Sequence, residues 1–596
     1  MHYLNMALID KASLLFVPSV VAQEKAFNIL PSGNRAPDNK GGAGYDQTRA
    51  DFTFDRGSNA AATRIDENGV LQKYRENFLT YSNNLNGSDW SSTRLFSQTN
   101  GHSGYDGSND AWLVIPNSSN NTHYVNQVIT SGNGVQTISV YAKAGGYDYF
   151  SIRDNSASDT YGRFDLATQT TSTDGSNAIE SKMVSVGNDW YRCSLTLNRT
   201  AGSSNNLLFY VNNVYSNKPV YVGDEVSGVY FQDFQLESSM VSTDYLDSGA
   251  TTAKAGVLID LPRINYDANG ENGSLLLEPS RQQLLQYSEY FNASAVWLPN
   301  TITITDNYGT SPEGLSNSTR LVLGNLTASR IAYAPTLTNG TTYTFSCYYK
   351  GTAGEKLYME GNGSGGSGTQ TSKLITLTGD WQREDLQFVG GSSSNLIYVV
   401  DSRNGTEDTA TDFEVYGAQV EAGSYSSSYI PNHGTSGGVT RAADSCSVTG
   451  VSDVIGQTEG TIYGEFIRTK TNDTYSPVIV LMENSTSELI EIYAGPNSNS
   501  FGVVIIDGGV NQFSKSFTAQ EGINKFALAY KQNDCALYHN GVQIGTDTSA
   551  TIPTLTQMTL GRFTYTSNFQ LGDSIKQAAL FNERLTNEEL ATLTTL

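Results

Sequence analysis

A chain of 596 residues has room for three to five domains at the usual ~100–200 residues each, so burying a core is no difficulty. Only 16% of residues are Asp, Glu, Lys or Arg, while Gly, Ser, Thr, Asn and Tyr are abundant, the profile of short strands joined by polar turns. Acids outnumber bases 59 to 36, a net charge of −23 that repels a phosphate backbone and argues against nucleic acid as a partner; no run approaches the ~20 apolar residues of a helical membrane span.

Residues 1–75 differ from everything after them. Residues 12–22 are apolar enough for a signal-peptide core, with Val20 and Ala22 at a small-residue cleavage position. Asp10 and Lys11 remove the positive flank and Pro18 interrupts the run, so the segment is expected to stay in place. After a Gly, Pro and Asn-rich stretch at 31–44 comes DFTFDRGSNAAATRIDENGVLQ, two expected strands with Asn68-Gly69 as a tight hairpin turn. A small unlike module at one end suits attachment to something else.

From residue 76 the chain repeats itself. NFLTYSNNLNGSDW, Asn77 to Trp90, returns as QLLQYSEYFNASAVW, Gln283 to Trp297. Trp190-Tyr191-Arg192 returns as Trp381-Gln382-Arg383, and the closing segments share Gln-x-Glu at Gln235 and Glu237 and at Gln419 and Glu421. Self-similarity in register means like domains in series. The expected division is an N-terminal region 1–75, a module 76–249, a β-hairpin connector 250–281 around a double Asn-Gly turn, a second module 282–433, a connector 434–456 and an unlike module 457–596. The fold class expected is all-β, tandem β-sandwiches. A lone helix is expected from Thr586, with Thr586 or Asn587 as its cap.

The four cysteines, Cys193, Cys347, Cys446 and Cys535, are far apart and read as free thiols. Glu237 and Glu421 are tempting as catalytic acids because they recur, but recurrence at the end of equivalent strands points to framework, and no partner carboxylate is placed by the sequence. No HExxH, GxSxG or phosphate loop is present, and His539 reads as a solvated hairpin residue. Asn265, Asp267, Asn269 and Gly270 imitate the start of a calcium loop, yet Leu276 stands where a bidentate Glu is required, so a polar hairpin is expected. Trp90, Trp190, Trp297 and Trp381 recur in register and are expected in cores. The additional loop tyrosines Tyr105, Tyr147, Tyr149, Tyr425 and Tyr429 are the candidate ligand-binding residues, because a flat ring with a polar tip suits the C–H face of a sugar.

The last module, with Leu537-Tyr538-His539-Asn540-Gly541, then Leu560-Gly561, then Gly572, Ile575, Phe581, Leu585, Thr586 and Glu589, is similar to the concanavalin A-like, laminin G-type lectin sandwich. The upstream repeats, with Leu-x-Tyr-Ser, Trp-x-Arg and Gln-x-Glu, resemble the carbohydrate-binding-module-like jelly rolls of tailed-bacteriophage structural proteins. ALIDKASLLFVPS, RADFTFDRGS and LLLEPSRQQLLQYS also look like phage fibre or spike proteins. The resemblance implies two jelly rolls followed by a lectin-like sandwich, in a non-enzymatic particle component located in the virion. It implies contact with other virion proteins through the N-terminal region, contact with host-surface glycan, and a trimer. It implies no cofactor beyond calcium in loops of the last domain, with Asp507 and Asp573 as candidate ligands. The alternatives are a secreted or surface bacterial adhesin and a glycan depolymerase.

Overall fold

In a computed structural model of the protein, the structure is described for residues 8, 11–16, 52–57, 61–129, 132–156, 159–200, 206–271, 273–362, 370–392, 395–403, 407–468, 475–483, 485–495, 500–563 and 574–596. The fold is all-β: tandem sandwiches of antiparallel sheets, with one short helix, Asn587–Thr594, among the described residues.

The first repeat is a sandwich of two six-stranded sheets. One sheet runs Thr170–Asp174, Thr160–Asp165, Tyr149–Asp154, Asn206–Asn212, Tyr124–Val128 and Trp90–Thr93 in spatial order, and the other runs Ala178–Gly187, Trp190–Arg199, Gly134–Gly145, Gly228–Glu237, Ala111–Pro116 and Leu95–His102. Alternation along each strand sets the core: Cys193, Leu195 and Leu197 are buried against Ile138, Val140, Phe231, Phe150 and Phe209. The second repeat has two five-stranded sheets, and its core holds Cys347, Phe345, Tyr349, Trp297 and Val420. All four cysteines are buried and free, as small hydrophobes.

The two repeats share a set of hydrogen bonds, position for position. Asn77 Nδ2 donates to the carbonyls of Phe234 and Leu246, and Gln283 Nε2 donates to those of Ala418 and Ile430. Trp90 Nε1 donates to Tyr81 O and Trp297 Nε1 to Tyr287 O, each at 3.0 Å. Each closing strand carries a bulge whose first residue has positive φ, Asp233 at 57° and Gly417 at 61°. Recurring residues therefore hold the skeleton, and the twin cassette is a folding signal.

The third sandwich is assembled from distant parts of the chain. Its eight-stranded sheet takes Glu459–Arg468, Gly522–Lys531, Cys535–His539, Val542–Asp547 and Ser574–Phe581 from the C-terminal module, plus Ile264–Asn265 and Ser274–Leu276 from the first connector and Ala12–Phe16 from the N-terminus. The facing seven-stranded sheet includes Thr53–Asp55, paired with Ser445–Thr449. Leu14, Phe16, Phe52 and Phe54 are core residues of this sandwich. In its described part, then, the N-terminal region does not stand apart: Ala12–Phe16 and Thr53–Asp55 pair with strands at the far end of the sequence, Ser574–Phe581 and Ser445–Thr449.

Where these segments meet, three buried arginines converge. Arg263 pairs with Glu278 at 2.8 Å and with Asp444, Arg441 pairs with Glu278 at 2.9 Å, and Arg56 reaches Asp444 at 3.4 Å. Beside this hub the two Asn-Gly turns face each other; a Cβ at Gly69 would lie 2.3 Å from Ala268 O and one at Gly270 would lie 2.1 Å from Glu67 O. Only the glycine of each pair has positive φ. Asp267 Oδ1 accepts from the amides of Asn269 and Glu271, which makes the calcium-loop lookalike an Asp-stabilised turn. The helix carries a capping box in which Thr586 and Glu589 satisfy each other's amides.

Candidate ligand-binding face

The outer face of the first repeat's Tyr149–Asp154 sheet is built by strict alternation. In YFSIRD, Phe150 and Ile152 enter the core, which turns Tyr149, Ser151 and Arg153 to the other face, Tyr149 and Arg153 half-buried and Ser151 covered by Asn217. In TYGRFD, Phe164 is inside, which turns Tyr161, Arg163 and Asp165 to the other face, where Tyr161 and Asp165 are still buried and Arg163 is half-buried. Register sets Arg153 opposite Tyr161, Ser151 opposite Arg163 and Ser151 opposite Tyr210 on the other side. Tyrosines and arginines therefore interleave across three adjacent strands.

Arg153 donates to Asp159 Oδ1 through Nε and to Tyr210 OH through Nη1, and its guanidinium lies 5.7 Å from the Tyr161 ring centre. Arg163 donates to Ser172 Oγ at 2.9 Å and lies 5.5 Å from the Tyr215 ring, whose hydroxyl shares that same Ser172 oxygen at 2.7 Å. Burial pushes the Tyr161 phenol up to about 12, so it stays a hydrogen-bond donor at any physiological pH. Across part of this face packs the segment 213–226, with Asn217 O accepting from Ser151 Oγ and Lys218 Nζ 5.9 Å from the Tyr161 ring, and it exposes Val214, Tyr215, Val220, Val222 and Val226. Rigid rings, cationic forks and an apolar rim on a regular sheet suit a flat, hydroxylated ligand.

The five sequence candidates fall in different places. Tyr149 lies on this face, 6.4 Å from Tyr215 centre to centre. Tyr147 is at its margin, edge-on to Tyr221 at 5.7 Å. Tyr105 is on the opposite sheet, stacked on Tyr141 at 3.6 Å and donating to Asp233 Oδ2 at 2.9 Å. Tyr425 lies beneath the Arg281 guanidinium at 5.0 Å. Tyr429 is not a surface loop residue: it is 1% exposed, bonded to Glu289 and Ser288, and offers no ring face to a ligand. Trp90, Trp190 and Trp297 are buried, whereas Trp381 is partly exposed and donates to Thr310 O. Tyr161, Tyr210, Tyr215, Arg153 and Arg163 went unread in the sequence, although the polar phase of YFSIRD and TYGRFD carries four of the residues on this face.

Glu237 and Glu421 are clasps. Glu237 Oε1 accepts from Gln235 Nε2 and the Thr243 amide and Oε2 from Thr243 Oγ1; Glu421 repeats this with Gln419, the Ser427 amide and Ser427 Oγ. Asp507 accepts from Thr551 Oγ1, and Asp573 lies outside the described residues. Among the described residues no group of three or more His, Cys, Asp or Glu side chains is gathered as a metal site. His539 is buried rather than solvated, against Phe517 at 4.4 Å with Nε2 on Asn524 Oδ1; burial pushes its imidazole down to about 4, because the charged form would lose its water.

Fold and face together define a protein of tandem β-sandwiches. No protein-family model matches the chain, and no curated protein matches it. Among solved structures it is similar to the CBM40 of the Ruminococcus gnavus IT-sialidase bound to α2,3-sialyllactose, with 20% identity over 24% of this chain and 86% of that one and a TM-score of 0.22. It is also similar to the CBM22-1–CBM22-2 tandem of Paenibacillus barcinonensis Xyn10C, with 14% identity over 62% of this chain and 100% of that one and a TM-score of 0.21. A third is the heptameric SAP-like pentraxin of Limulus polyphemus, with 12% identity over 23% and 70% of the two chains and a TM-score of 0.19.

Proposed function

We propose that the protein is a glycan-binding structural component of a tailed-phage virion, a fibre or spike that binds host-surface sugar without cleaving it and works as a trimer. The observation that carries the glycan reading is the accessible edge of the first repeat's sheet, where Tyr149 and Tyr215 stand beside Arg153 and Arg163 over the buried rings of Tyr161 and Tyr210. The phage reading is supported by the sequence resemblance of the repeats, the N-terminal run and the lectin-like last module. Binding without cleavage is supported by the clasp role of Glu237 and Glu421, whose oxygens are all engaged by local donors.

The test is a glycan array followed by titration calorimetry. Wild type should bind a defined set of oligosaccharides, and the double variant Tyr149→Ala, Tyr215→Ala should bind them at least tenfold more weakly with an unchanged melting temperature. Equal binding by both would remove this face from the reading. Mass spectrometry of purified virions and sedimentation of the free protein test the particle and the trimer; a monomer absent from virions would end both.

A further inference from the structure

A pocket lies where four parts of the chain meet. It has a volume of about 250 Å³ and is walled by the hairpin residues Arg64, Ile65 and Leu71, the connector residues Asn265 and Glu278, and Tyr348, Arg383 and Ser426–Tyr429 of the second repeat. At this size it is smaller than the ~300–1,000 Å³ of drug-sized sites and suits a monosaccharide or a small oxyanion.

Its charge is the opposite of the chain's. Arg64 donates through Nε to Gln72 Oε1 at 2.7 Å and makes no ion pair among the described residues; burial lowers its guanidinium from the ordinary value, with Tyr266, Asp66 and Glu67 opposing only in part. Arg383 donates to Ser427 O at 2.7 Å and Ser346 Oγ at 3.0 Å, lies 5.5 Å from the Tyr348 ring, and keeps a buried Nε–H with no acceptor. Among the described residues neither guanidinium is in ion-pair contact with a carboxylate, although Asp66 and Glu67 act on Arg64 from farther away. The one carboxylate in the wall, Glu278, already holds Arg263 and Arg441 and accepts from Ser428. The hub behind it joins Arg56, Arg263 and Arg441 to Glu278 and Asp444, with Glu421 acting on Arg441 through Ser427 Oγ, so none of its acids is left over for Arg64 or Arg383. A guanidinium that holds no carboxylate can offer its remaining N–H groups to an oxyanion in a charge-assisted pair.

We propose that this pocket binds an anion of monosaccharide size, the carboxylate of an acidic sugar such as a uronic acid. Arg64 and Arg383 hold the carboxylate, serine hydroxyls of 426–428 and Asn265 border the ring hydroxyls, and Ile65 and Leu71 supply the apolar wall. The sugar half of this assignment rests on the glycan reading above; the anion half stands without it.

Calorimetric titration of the full chain with glucuronate, glucose and inorganic phosphate separates the two halves. Glucuronate should bind and glucose should bind at least tenfold more weakly, while Arg64→Gln and Arg383→Gln should each weaken glucuronate at least tenfold. Arg383→Lys, which keeps the charge, should retain more affinity than Arg383→Gln, and the Arg64 variant guards against a folding defect at Arg383. Glucuronate that fails to bind, or binds no better than glucose, overturns the anion site even if arrays show neutral glycans on the first repeat. Phosphate that competes with and equals glucuronate overturns the sugar half.

Discussion

The two repeats hold one skeleton and treat the same outer corner in opposite ways. In the first repeat the corner is closed from within: Tyr105 lies flat on Tyr141, its hydroxyl on Asp233, with Trp190 and Tyr230 around it. In the second, Tyr348 and Trp381 occupy the matching strand positions, but the corner is closed from outside by Leu71 and Lys73 of the N-terminal region. Lys73 Nζ donates to Glu289 Oε1 at 2.9 Å, lies 2.8 Å from Glu313 Oε1 and reaches Tyr416 OH. Repetition conserved the hydrogen bonds that close the sandwich and left the surface free to become an inter-module joint in one copy.

The sharpest way to break that comparison is at Lys73. Lys73→Met leaves Glu289 and Glu313 buried without their cation and should cost about 3–5 kcal/mol in urea unfolding. Tyr105→Phe, which removes one hydrogen bond in the self-closed corner, should cost at most about 1.5–3 kcal/mol. Equal costs would mean that the outside closure is not what holds the second corner.

Next in size is a pH effect confined to the first repeat. Burial, with Asp110 and Asp106 nearby, pushes the Asp233 carboxyl up to about 7 despite the Tyr105 hydrogen bond. The folded state then holds this proton more tightly than the unfolded chain, whose aspartate titrates near ~3.9. The group's contribution is fully present below about pH 4, falls as pH rises to about 7 and is flat above, a loss of up to ~4 kcal/mol. Asp233→Asn should match wild type near pH 4 and be more stable by up to that amount at pH 8. The matching residue of the second repeat is Gly417, which has nothing to titrate. A wild-type stability that rises between pH 4 and 7 only in the presence of Asp233 would contradict the assignment.

How much of this was legible in the sequence follows from range. Gln-x-Glu, Trp-x-Arg and the Asn77 and Gln283 cassettes act within one module at the same offsets, so the repeat pattern displayed them and pointed to sandwich-type modules. The seating of Ala12–Phe16 beside Ser574–Phe581 has no local signal, because a strand edge is a generic acceptor and only three-dimensional proximity selects it. Tyr429 was misplaced for a related reason: its partner Glu289 is a non-repeated residue, Asn83 in the first copy. Arg153 and Arg163 follow from period two as the half-exposed phase of their strands, whereas the covering of Tyr161 by Arg153 and Lys218 depends on segments distant in sequence.

A smaller pair of substitutions tests the shared skeleton directly. Glu237→Gln and Glu421→Gln each replace a buried acceptor of three hydrogen bonds with an amide that has one oxygen. Each should cost about 1–3 kcal/mol, and the double variant should show the sum, since the sites lie in separate cores. Denaturant midpoints that differ strongly between the two would show that the Arg281 guanidinium, 3.7 Å from Glu421 Oε2, gives the second clasp a role that the first lacks.

The smallest expected effect lies at the serines that receive the recurring arginines. Arg192 Nη2 donates to Ser139 Oγ at 3.2 Å and Arg383 Nη2 to Ser346 Oγ at 3.0 Å, and each guanidinium covers a tyrosine, Tyr141 at 5.2 Å or Tyr348 at 5.5 Å. Removing the hydroxyl leaves the stacking in place and deletes one charged donor's acceptor, so Ser139→Ala and Ser346→Ala should each cost about 1–2 kcal/mol. If the pocket beside Arg383 binds an anion, glucuronate at saturation should offset the Ser346→Ala loss and leave the Ser139→Ala loss unchanged, because a bound oxyanion can replace the missing acceptor only where the pocket exists. A ligand that stabilises both variants equally would place its site away from Arg383.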